Sequence, residues 1–187
     1  MKSWTPPTNE MVEKALTSVK KETDRQYFFS KLNNPLWIEP LRERGYFDNP
    51  PKVKHLPDGF VQYPYWPELN YLVTVADQAT DQVIKIILSL PKTDNPRIYE
   101  DVIAISLKLD GARSAELLPK LIECIDLDDR FLAYSYPELL QHWAVQGNID
   151  EALDIAKLLV PFQKDPRMRD KQQLRKKAPD SLGISLR

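Results

Sequence analysis

The sequence predicts an all-α fold, an array of antiparallel helical hairpins stacked into an α-α superhelix. Three observations carry that expectation. Apolar residues recur three and four positions apart from Leu69 to Leu159, the period of one helix face. Sixteen prolines stand beside only five glycines; proline suits the first turn of a helix, whereas a β-rich chain needs glycine for its tight turns. Proline-led helix starts also recur at roughly the 30–40-residue spacing of helical-hairpin repeats.

Each element has its own local signal. Thr8 is placed to cap a helix over Asn9 to Leu32, with Met11, Ala15, Leu16 and Val19 on one face. Its middle, Lys20 to Arg25, is polar all round, which requires an exposed or bent stretch. Asn34-Pro35 and Asn95-Pro96 each read as an N-cap followed by proline at the first helical position. Trp66-Pro67-Glu68-Leu69 and Tyr136-Pro137-Glu138-Leu139 form a second matching pair of starts. Gly111 and Gly147 are expected just past helix ends, where a left-handed residue closes the last turn. Ala115, Leu118, Ile122 and Ile125 are expected on one apolar stripe, and Trp143 in the core between its own helix and one beginning near Asp150. Short links between helices favour antiparallel neighbours.

One interval breaks the pattern. Residues 48–66 contain Pro50, Pro51, Pro57 and Pro64, with Pro57-Asp58-Gly59 as a turn signal. These residues predict a long ordered loop, with any strand confined to Lys54–Tyr63. Phe60, Tyr63, Tyr65, Trp66 and Tyr71 crowd within a dozen residues of it. Tyrosine and tryptophan offer large rigid contact areas with polar tips, so Tyr63, Tyr65, Trp66 and Tyr71 are the candidate partner-binding residues. The competing expectation is that these rings seal the loop onto the helices.

The chain divides into a helical repeat domain, residues 1–162 with its irregular loop at 48–66, and a basic, proline-interrupted tail or linker, residues 163–187. The whole chain has a net charge of −1, yet eight Lys/Arg face three Asp/Glu from Gln163 onward. A basic tail on an acidic body suits an acidic partner or nucleic acid. Arg167, Arg169, Lys171, Arg175, Lys176 and Lys177 are its candidate contacts, and the tail is expected to be peripheral to the fold. A single cysteine, the absence of an apolar leader and the lack of any run of about 20 apolar residues point to a cytoplasmic protein.

The hairpins resemble the HEAT and armadillo class of α-solenoids. The run Trp143-Ala144-Val145-Gln146-Gly147-Asn148-Ile149-Asp150-Glu151-Ala152-Leu153 is similar to the middle of a tetratricopeptide-type hairpin. The stretch from Asn34-Pro35-Leu36-Trp37 through Tyr65-Trp66-Pro67 resembles N-terminal regions of large, uncharacterised bacterial multidomain proteins. The solenoid resemblance spans Pro67 to Val160 and implies a scaffold for binding rather than a particular chemistry.

Catalytic patterns are thin. His55, His142 and Cys124 are the only nitrogen or thiol ligands and have no paired spacing. Asp126-Leu127-Asp128-Asp129 matches a calcium loop for three positions, then lacks the glycine and the bidentate glutamate. Cys124 falls on an apolar stripe as an inert thiol. His142, four residues after Glu138, reads as a surface pair before a general base. Five scattered glycines make no phosphate cradle. The expectation is a protein–protein interaction or scaffolding module without catalytic activity or cofactor. Its partner would be another protein or a further domain of the same one. The alternative is a HEAT-like protein that binds or processes nucleic acid, against which the acid-biased helices weigh.

Overall fold

A computed structural model describes residues 4–125 and 132–159, with side chains from 135 onward in the second stretch. Among these, ten α-helices and one two-stranded sheet are found, and 63% of the residues are helical. The all-α expectation therefore holds, and strand is confined to the interval where the turn signal placed it. No described helix is long and apolar enough to cross a membrane.

The first expected helix is two: α1 (Asn9–Ser18) and α2 (Glu22–Lys31). Thr8 caps α1, its hydroxyl accepting from Met11 N–H. The polar stretch breaks at Val19-Lys20-Lys21, because a helix polar all round has no face to bury. Asp24 reaches back to accept from Lys21 N–H and starts the second helix instead. Asn34 caps a 3₁₀ turn (Pro35–Trp37) that runs into α3 (Ile38–Arg42). After the loop come α4 (Pro67–Val75), α5 (Thr80–Ser89) and α6 (Pro96–Ser106), with Pro67 and Pro96 at their first positions as expected.

Three local expectations fail from here. Gly111 does not end a helix; it opens α7 (Gly111–Ala115), capped by Asp110. The stripe from Ala115 to Ile125 is split between α7 and α8 (Leu118–Ile125). The split turns the buried face of α8 to Leu121, Cys124 and Ile125 and leaves Ile122 exposed. Pro137 lies inside α9 (Leu132–Val145) rather than at its start. The helix continues through it because Tyr136, Leu139 and Trp143 share one fully buried stripe, and Tyr136 donates to Leu121 O at 2.9 Å. Gly147, at φ +89°, ends α9 as expected, and α10 (Ile149–Leu159) returns against it.

The helices stack in sequence: α2 on α4, α4 on α6, and α6 on α9, with α5 against α8. One hydrophobic core runs through all of them, from Phe29 to Ile155. Trp143 is fully buried within it, and its indole N–H donates to Ser114 Oγ at 2.7 Å. Cys124 is buried as expected. The tail at 163–187, the Asp126–Asp129 turn and the tail's candidate basic contacts lie outside the described residues.

Candidate functional site

The loop at 48–66 is built around one residue of the following helix pair. Asn95 is completely buried. Its Oδ1 accepts from Arg97 N–H and caps α6. Its Nδ2 donates to both Pro51 O at 3.0 Å and Pro64 O at 2.9 Å. One side chain thus caps a helix and clips the two ends of the loop together. Asp94 adds a further tie, accepting from Val53 N–H at 3.2 Å. The cap was legible in the Asn-Pro pair; the clip was not, because its acceptors lie 31 and 44 residues away.

Beyond the clip the chain forms a hairpin, β1 (Lys54–His55) and β2 (Val61–Gln62), with Lys54 opposite Gln62 and His55 opposite Val61. Leu56 N–H donates to Phe60 O at 2.8 Å and closes the tip. Gly59 sits at φ +83°, and Asp58 accepts from Phe60 N–H, so the Pro-Asp-Gly turn forms as its residues require. Alternation puts Lys54, Leu56, Phe60 and Gln62 on one face and His55, Val61 and Tyr63 on the other. Every one of these residues is exposed, and Phe60 leaves 70% of its surface in water.

The base of the loop behaves differently. Trp66 and Tyr71, expected as partner contacts, are core side chains. Tyr71 donates to Asn34 O at 2.8 Å and ties α4 to the turn before α3. Burial pushes its phenol far above the ordinary tyrosine range. Tyr65 is half-buried beneath Arg97, whose guanidinium lies 5.2 Å from the ring centre. Its phenol is raised by burial and by the charges of Asp101 and Glu68. Tyr63 alone of the four stays open to solvent. The seal and the contact surface are therefore separate parts of one loop. Of the exposed apolar tip, Leu56, Phe60 and Val61, only Phe60 belongs to the aromatic cluster noted in the sequence, and none is among the four candidate contacts. The signal that could have found it is the turn itself, since apolar residues beside a Pro-Asp-Gly tip have no neighbour to cover them.

Compared with known proteins, the chain matches no family model, no curated protein and no solved structure.

Around the loop base, three buried polar atoms have no hydrogen-bond partner: Trp66 Nε1, Glu68 Oε2 and Asp101 Oδ2. Glu68 is fully buried, and its other oxygen accepts from Arg25 Nε at 2.5 Å, joining α4 to α2. Burial raises the Glu68 carboxyl despite that pair, and pushes the Asp101 carboxyl up to about 7. Glu68 lies wholly inside the packing and Asp101 partly so, and holding either charge there carries an electrostatic cost. His142 is likewise committed: its Nε2 lies 3.0 Å from Leu109 O, which can only accept, so that nitrogen carries the proton. It anchors α9 to the end of α6, while Glu138 faces solvent. Among the described residues no three metal-ligating side chains converge. Of the described acidic residues that weigh against nucleic acid, Glu100, Asp110 and Glu116 are exposed, while Asp101 and Glu123 are half-buried.

Proposed function

We propose that the chain is a protein–protein interaction or scaffolding module without a catalytic role, and that the Lys54–Gln62 hairpin is its contact element. The observation that carries this reading is an apolar hairpin tip, led by Phe60 at 70% exposure, held away from a helical body by a buried asparagine clip. A two-stranded hairpin gains little stability alone, and uncovered apolar residues on it cost solubility. Such an element is explained when a partner covers it. The row of stacked helices supports a HEAT- or armadillo-like superhelix as its scaffold, working in the cytoplasm. The partner is another protein or a further domain of the same one.

The test uses two variants. Leu56→Ser/Phe60→Ser/Val61→Ser changes only exposed side chains, so the melting temperature should stay within a degree or two, as for ordinary surface changes of about 0.5 kcal/mol or less. Proteins captured by the wild type should be lost from this variant. Tyr63→Ala/Tyr65→Ala/Trp66→Ala removes a core indole and should unfold or badly destabilise the domain. A tip variant that retains every captured protein rejects the hairpin as the contact element.

A further inference from the structure

The last described hairpin leaves an unusual outer face. Inward, α10 buries Ala152 and Ile155 against the array. Outward, Ile149 is 57% exposed and Leu153 is 49% exposed, and Val145 at the end of α9 is 79% exposed. Ile149 and Leu153 are one turn apart, as are Asp150 and Asp154, so an apolar line and an acidic line run side by side along the helix. Glu138 and Glu151 add negative charge on the same hairpin, while its single lysine, Lys157, is already paired to Asp154 at 3.1 Å. A helix face left open to water is ordinarily polar, and this one is apolar beside acid.

The chain immediately beyond α10 is the chemical complement of that face. Residues 163–177 hold seven Lys/Arg against two Asp, with Met168 and Leu174 among them. We propose that this basic segment docks on the outer face of α10 in the same chain, its lysines and arginines against Asp150, Glu151 and Asp154 and its apolar residues over Ile149 and Leu153. The reach is ample. The face from Ile149 to Leu158 is about 14 Å long at the helical rise, and fifteen residues can span about 50 Å. Covalent attachment makes the event intramolecular, at an effective concentration near millimolar for a short linker.

The test measures trypsin cleavage after Arg167, Arg169, Lys171 and Arg175 in the full-length protein by mass spectrometry. A free peptide of residues 163–187 serves as the unprotected reference at each salt concentration. In low salt the wild-type segment should be cut about tenfold more slowly than the free peptide, the protection given by about 1.4 kcal/mol of docking. Protection should fade at about 0.5 M salt, where charge pairs are screened. Asp150→Lys/Asp154→Lys and Ile149→Ser/Leu153→Ser should each abolish it, with melting temperatures confirming that both variants stay folded. Cleavage of the wild type at the free-peptide rate overturns the proposal. So does protection that survives in both folded variants, which would place the segment elsewhere. Protection that disappears on dilution also overturns it, in favour of docking onto a second copy.

Discussion

At the scale of single residues, the fold concentrates its cost and its gain at a few buried polar contacts. Trp143 is fully buried on α9 and satisfies its N–H on Ser114 of α7. Trp143→Ala should cost roughly 3–5 kcal/mol in a urea titration, the usual range for a buried aromatic truncation. A loss under about 1 kcal/mol would contradict its burial. Asp101 works in the opposite sense. Burial raises its carboxyl to about 7, the Arg97 charge pulling it down and Glu100 pushing it up. Its folded-state value thus exceeds the unfolded value of about 3.9, so the folded state holds the proton more tightly. The stability that this brings is complete below about pH 4 and is lost as pH rises through about 7. Asp101→Asn should therefore be more stable than wild type at pH 8, by roughly 1–3 kcal/mol for a carboxyl only partly covered. The two should converge near pH 4. Melting curves of both proteins at the two pH values decide this, and an equal gap at each would show that Asp101 is not the titrating group.

At the scale of elements, what was legible in the sequence is what depends on near neighbours. Thr8, Asn34 and Asn95 cap helices through residues two or three positions on, so local chemistry sufficed to find them. The expected position of Gly111 failed because its reason is tertiary. A Cβ there would stand 2.3 Å from Asn148 Oδ1 and 2.7 Å from Gln146 Cβ. The glycine exists so that α7 can meet the turn between α9 and α10, and its N–H donates to Gln146 Oε1 across that contact. Gly111→Ala should destabilise by about 1–3 kcal/mol, the cost of forced overpacking. Faster hydrogen exchange at the α9–α10 turn should accompany the loss. Gly59→Ala offers the contrast, since its Cβ would meet nothing within 4 Å and only the backbone conformation resists. Pro137 departs from expectation for a related reason. A preference for the first helical turn yields here to a helix that already runs from Leu132, with Tyr136, Leu139 and Trp143 buried along it. In the loop, the aromatic cluster was visible but its division was not. Sealing rings and exposed rings have the same composition, and only the Asn95 clip separates Trp66 from Phe60.

At the scale of the whole molecule, one core joins the first described helices to the last. It passes from Phe29 through α4 and α6 to Ile155 without an apolar gap. The described body should therefore unfold in a single step, with calorimetric and van't Hoff enthalpies equal. Two separated transitions would show that the helices divide into independent units. The hairpin stands outside that cooperative body, attached through two carbonyls on the Asn95 amide and one N–H, that of Val53, on Asp94. That attachment has a consequence for how the surface can change. With Pro51 and Pro64 held at fixed positions by Asn95, and Val53 by Asp94 through its backbone N–H alone, the residues between the prolines form a cassette whose ends are set by the body and whose side chains are not. A segment of different length or sequence can be exchanged at those two prolines, so the same scaffold could present unrelated tips, by natural variation or by grafting, while its core remained untouched.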